Sequence, residues 1–185
     1  MEYSEVEGYV RAYMKDRGLA VVPVPMAAEL FDMSSAGILG RIKSGVLKEA
    51  RISGTRYVMM ASILEVIEEE DREIKTVKTY LEQQARKGVS SVEYAPVMEL
   101  LGLTTKLSAH RNKIGRILGK VSRHSYEEGK GMLSVIVHVK GTGLPSMNGF
   151  FGLVEALEED WEDHYATQED FIEAETKRVL AAHRK

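Results

Sequence analysis

Cysteine is absent from all 185 residues, which excludes disulfide cross-links and thiolate metal sites. No apolar run approaches the ~18 residues that a membrane-spanning helix needs. The first residues, MEYSEVEGYV, are acidic and lack the apolar centre of a signal peptide. A cytoplasmic protein with no membrane association is the expectation. The five histidines form neither an HxxxH nor an HExxH pair, so no metal cofactor is expected. The glycine pairs in GKG and GTG lack the lysine-serine ending of a phosphate-binding loop. Ser134 lacks the flanking glycines of a nucleophile elbow. Aspartate is missing between Asp71 and Asp160, where a metal-dependent nuclease would need carboxylates gathered around its cation. Glu127, Glu128, His138 and Lys140 are what a nuclease could use there, and this stands as a remote alternative. No enzyme and no cofactor are expected.

What is present is an ordinary globular composition, 44% hydrophobic and 29% charged, with a formal net charge of −3. That charge is unevenly spread. Residues 1–70 hold 8 Lys/Arg against 11 Asp/Glu, residues 71–150 hold 13 against 7, and residues 151–185 hold 4 against 10. Phosphate affinity follows local rather than net charge, so the basic middle keeps nucleic acid among the possible partners.

Periodicity predicts a mainly α fold with small β elements (α+β), arranged as two units that each read as short helix, turn, longer helix and then β, joined by a long helix. The expected divisions are 1–70, a connecting helix at 71–90, and 91–185. A helix is expected over Glu2–Asp16, stopped by Gly18. VVPVP is extended because its prolines disfavour helix in the residues before them. MAAELF is a short helix, Ser34 is an N-cap, and the helix it opens ends at Gly45. LKEARI and RYVMM flank Ser53-Gly54-Thr55, a hairpin signal. Ser62 then reads as the cap of a long helix to about Lys87. It could serve as a spacer or support a homodimer.

In the second half, APVMELLGL reads as a short helix and Lys106–His124 as a longer one. MLSVIVHV is the strongest strand candidate, a wing or a supporting strand. FFGLVEALEEDW is a helix, and Thr167 with Asp170 resembles a capping box that opens the last helix. The acidic stretch EALEEDWEDHYATQEDFIEAE reads as an amphipathic pair, with Phe151, Leu153, Val154, Leu157, Trp161 and Phe171 facing the core.

From Val24 to Ile67 the sequence resembles the winged helix-turn-helix of the MerR and excisionase families. MAAELFDMS matches the first helix and turn, ILGRIKSGVL the second helix and stop, ARISGTRYVM the wing, and SILEVI the following helix. Ala27, Ala28, Leu30, Ile38, Ile42 and Leu47 would form the shared core. The resemblance implies winged-helix-like units with small β wings and double-stranded DNA as partner, with the second helix in the major groove and the wing against the backbone. Ser35, Arg41 and Lys43 would then lie near the groove, with Arg51, Thr55 and Arg56 on the wing. The exposed positions of that second helix are small (Ser34, Ser35, Gly37, Gly40), whereas bidentate base contacts need Arg, Asn or Gln.

A stronger electrostatic signal lies downstream. Lys106, Arg111, Lys113, Arg116, Lys120 and Arg123 share a stretch, 106–124, that contains no acid. At 100° per residue Leu107, Ile114, Ile117, Leu118 and Val121 form the packing face. Lys106, Lys113, Arg116, Lys120 and Arg123 then form a stripe roughly 135° away, with Arg111 on the other flank. The expected function is double-stranded DNA binding by a non-catalytic transcriptional regulator or accessory factor of a bacterium or mobile element. The competing expectation is a protein-interaction scaffold built on degenerate winged helices.

Overall fold

A computed structural model describes residues 1–157 and 160–184. Glu158 and Glu159, within the acidic stretch, lie outside the described residues. The chain is mainly helical with a small sheet and divides into two units, Met1–Glu70 and Asp71–Lys185.

The first unit opens with strand β1 (Glu2–Tyr3), not with the helix expected from Glu2 onward. Helix α1 spans only Val6–Lys15. β1 pairs in parallel with β3 (Glu49–Ile52), Glu2 opposite Arg51 and Tyr3 opposite Ile52. Helical periodicity within ten residues cannot announce a partner almost fifty residues away. The proline-rich segment forms β2 (Val21–Pro23), and Pro25 sits in the first turn of α2 (Val24–Leu30), where its missing N–H costs nothing. β3 and β4 (Thr55–Met59) form the expected hairpin, and β2 pairs antiparallel with β4, giving the order β1-β3-β4-β2. Helix α3 (Ser35–Lys43) starts at Ser34, whose Oγ accepts the Gly37 N–H at 3.1 Å.

Between α2 and α3 the chain turns through Asp32, held at a left-handed φ of +48°. Asp32 N–H donates to Glu29 O at 3.1 Å, and Met33 N–H to Ala28 O at 2.9 Å. These are the two bonds of a Schellman stop. Ala27, Ala28, Ile38, Leu47, Val58 and Ile63 close the core beneath it, and each large aliphatic fully buried there contributes about 1.5–3 kcal/mol. Leu30 was expected in that core and is exposed instead. It faces away from Ala27 and Ala28 on a seven-residue helix too short to bury two faces.

Helix α4 (Met60–Arg86) follows β4 directly. Ser62 is not its cap. Its buried Oγ donates to Met59 O at 2.8 Å and accepts the Lys48 N–H at 3.0 Å, tying the helix to the hairpin. The residues of α4 past the unit boundary, among them Ile74, Val77 and Leu81, belong to the second core.

The second unit repeats the strand–helix–turn–helix frame. Strand β5 (Val92–Glu93) leads into α5 (Tyr94–Glu99), then Gly102 at φ +64°, then α6 (Ser108–Glu127). Gly102 N–H donates to Glu99 O at 3.0 Å and Leu103 N–H to Met98 O at 3.0 Å. This is the bonding of Asp32 and Met33, 70 residues further on. Gly102 supplies without strain the left-handed backbone that Asp32 adopts at some cost.

The longer helix begins at Ser108, so Lys106 and Leu107 precede it, and Leu107 is exposed rather than packed. The expected strand Met132–Val139 is largely absent. Leu133–Ile136 is a 3-10 turn, and only Val137–His138 forms a strand, β6, which pairs in parallel with β5. Every residue from Met132 to His138 is buried, and a wholly buried apolar run carries no period to separate strand from turn. Ser122 Oγ accepts the Ser134 N–H at 2.7 Å and donates to Ser134 Oγ at 2.7 Å, pinning the turn to α6. The chain ends with α7 (Met147–Ala156) and α8 (Gln168–His183). Thr167 caps α8 by accepting the Asp170 N–H at 3.1 Å. Phe151, Val154 and Phe171 are buried in this core, with Leu153, Leu157 and Trp161 packed on its margin. No helix among the described residues is long and apolar enough to cross a membrane.

Candidate nucleic-acid interface

The cations of the first unit are largely engaged within it. Arg51 and Arg56 are cross-strand partners in the hairpin, and two positive charges placed opposite each other repel. Glu49 sits between them, 3.4 Å from Arg51 Nε and 2.9 Å from Arg56 Nε. One carboxylate thus neutralises part of the wing. Thr55 is exposed beside the hairpin tip. Arg41 lays its guanidinium over the Phe31 ring, 5.0 Å from the centroid, so its apolar plane is used for packing. Lys43, the last residue of α3, is exposed and makes no ion pair among the described residues, and Ser35 is exposed at the first turn. The outward face of α3 thus carries Ser35, Ala36, Leu39, Gly40 and Lys43, with almost no polar reach.

Helix α6 is different. Ile114, Ile117, Leu118 and Val121 are buried, and Asn112, Arg116, Lys120 and Arg123 are exposed on the opposite side. At 1.5 Å per residue the stretch from Asn112 to Arg123 spans about 16 Å, and no carboxylate lies on α6 before Glu127. Lys113 departs from the expected stripe. It is half-buried, and its Nζ meets Glu73 Oε1 of α4 at 2.5 Å. Arg111 is exposed and its guanidinium donates to Thr105 O at 2.6 Å, clasping the turn before the helix. Lys106 is exposed in that turn, its N–H on Thr104 Oγ1 at 3.3 Å. His110 Nδ1 accepts the Thr104 N–H at 3.1 Å, fixing where the helix starts. Arg116 and Lys120 each engage another group of the chain as well, and Arg123 forms no ion pair among the described residues. Exposed ion pairs are worth about 0–1 kcal/mol and exchange readily with a stronger polyanion.

Glu73 as the partner of Lys113 was invisible to sequence reading, because the two lie on different helices forty residues apart. A short echo was visible but unread. Ile38-Leu39-Gly40-Arg41-Ile42 and Ile117-Leu118-Gly119-Lys120-Val121 share one pattern, each in the helix after the left-handed turn.

His138 does not sit among carboxylates. It is buried, its Nδ1 2.8 Å from Ser91 Oγ and its Nε2 3.1 Å from Val135 O, and burial pushes its imidazole pKa down. Among the described residues no three His, Asp or Glu side chains gather in a metal-binding group. The chain matches no protein-family model, no curated protein and no solved structure.

Proposed function

We propose that the protein binds double-stranded DNA without catalysing a reaction, with α6 as the helix that faces the groove. The observation that carries this is the exposed, acid-free ridge of Arg116, Lys120 and Arg123 on the helix that follows the left-handed turn. A major groove about 12 Å wide admits a helix. A one-sign ridge pays its repulsion back by displacing counterions from phosphates. Lys106 and Arg111 extend the positive surface at the start of the helix. The hairpin of the first unit, with Arg51, Thr55 and Arg56, is a secondary contact. Ser35, Arg41 and Lys43 add little base reach.

The resemblance of residues 24–67 to the MerR and excisionase winged helix-turn-helix supports the same class. It points to a cytoplasmic regulator or accessory factor, acting as a monomer or a homodimer. Contacts of this kind confer affinity rather than sequence choice.

The test is fluorescence anisotropy of a labelled random duplex, titrated at several salt concentrations. Arg116→Ala with Lys120→Ala, and separately Arg123→Ala, weaken binding at every sequence. Each lost phosphate contact reduces the salt slope by about 0.9. Because Arg116 and Lys120 have partners within the chain, circular dichroism confirms that the double variant is folded. An unchanged slope in both variants refutes α6 as the DNA face.

A further inference from the structure

The outward face of α3 is unsuited to reading bases, and it borders a groove of about 810 Å³ in the first unit. Leu39, Ile42, Leu47 and Met59 form its floor. Gly40 lies on it, and beyond its chain neighbours and the backbone of its own helix no atom stands within 4 Å of where a Cβ would be, so the floor is open there. Leu39 is 37% exposed, while its counterpart Leu118 in the second unit is 3% exposed under that unit's core. An equivalent leucine is thus covered in one frame and left facing solvent in the other.

Lys43, Lys48 and Arg56 stand on the rim. The acids nearby are Glu49, shared by Arg51 and Arg56, and Glu65, which meets Lys48 at 3.6 Å with both side chains largely in solvent. Three lining cations therefore face two carboxylates. Duplex DNA would gain little from the floor, because aliphatic side chains offer bases no hydrogen bond and only the thymine methyl an apolar contact. A second copy presenting the same face would oppose one positive rim to another.

We propose that this groove docks an acidic amphipathic helix of a partner protein, its apolar side on Leu39, Ile42 and Leu47 and its carboxylates against Lys43, Lys48 and Arg56. The mode is that of a helix laid in a groove, with anchors at i, i+3, i+4 and i+7. It does not involve α6, and it shares with the proposed DNA surface only Arg56 of the hairpin's secondary contact.

The experiment uses the full chain and two displayed peptide libraries of about 16 residues, an ordinary helix length. Both carry Leu, Phe or Met along one face. One has Asp and Glu elsewhere, and the other has Lys and Arg. Acidic clones are enriched, bind with micromolar affinity, and weaken as salt is raised. Gly40→Gln, which puts a side chain onto the open floor, weakens them about tenfold or more, as does Lys43→Glu. Gly40→Gln keeps or raises the thermal midpoint, because it removes a glycine from a helix interior, and it leaves duplex affinity unchanged. Enrichment of neither library, equal enrichment of the basic one, or parental affinity of the acidic clones for Gly40→Gln overturns the proposal. A tenfold loss of duplex binding in Gly40→Gln would assign the groove to DNA. Loss of self-association in that variant, read by sedimentation, would assign it to a second copy. Either result overturns the proposal too.

Discussion

Replacing Gly131 by alanine should destabilise the second unit through a contact that can be isolated. Gly131 is buried after the end of α6 at φ +80°. A Cβ on that backbone would stand 2.7 Å from Glu175 Oε1 and 3.0 Å from Val179 Cγ2. Glu175, on α8, is 3% exposed, and its Oε1 accepts the Met132 N–H that opens the buried turn. Its Oε2 lies 3.5 Å from Arg178. Two costs follow. The left-handed backbone costs alanine about 1–2 kcal/mol. Pushing the carboxylate off a buried N–H costs about 1–3 kcal/mol more.

Gly129 provides the control. Its φ is +74°, with nothing within 4 Å of a Cβ, so Gly129→Ala bears only the backbone cost of about 1–2 kcal/mol. The single tryptophan is a local reporter, because Trp161 packs in the second unit with ring centroids 5.2 Å from Phe151 and 6.1 Å from Phe171. Urea unfolding followed by its fluorescence should place Gly131→Ala about 1–3 kcal/mol below Gly129→Ala at constant m-value. Equal midpoints for the two variants would refute the role given to Glu175.

Ser122→Ala strands the buried Ser134 N–H and should cost about 1–3 kcal/mol by the same fluorescence assay. Ser134→Ala, which keeps that N–H bond, should cost less. Burial lowers the His138 pKa from its ordinary 6.5, so below that pH the unfolded chain binds the proton more readily than the folded one. The stability His138 contributes is therefore full above about pH 6.5 and is lost as pH falls through the lowered folded value. Urea midpoints measured from pH 7.5 to pH 5 should decline less steeply in His138→Gln, and parallel profiles would exclude His138 as the source. Glu49→Gln releases Arg51 and Arg56 and should steepen the salt dependence of duplex binding by up to about 0.9 per added contact. No change would remove the hairpin from the proposed DNA-binding surface.

Local chemistry was legible where one short stretch decides the backbone. Ser53-Gly54 carries positive φ at both residues between alternating runs, so the hairpin could be read directly. Ser34 and Thr167 cap within three residues of themselves, and the apolar period of α6 selects its buried face. Decisions taken at a distance were not legible. β1 exists only because β3 offers an edge to pair with. Ser62 reads as a cap until Lys48 N–H, fourteen residues back, takes its oxygen. The run Met132–Val139 reads as one strand, but only Val137–His138 is one, because α6 and α8 bury the turn before it. The basic stripe on α6 was right in sign and largely right in exposure, yet Lys113 turned to Glu73 on a helix whose position sequence could not supply.

The paired Schellman turns at Asp32 and Gly102 have a consequence for how this chain can change. Each frame closes its own interior, Ala27 and Ile38 in one, Val97 and Ile117 in the other. Substitutions on the outer face of one helix therefore leave the other frame's interior untouched. One scaffold present twice gives two surfaces that can drift separately. In this chain one has gathered cations and the other has kept bare aliphatic surface.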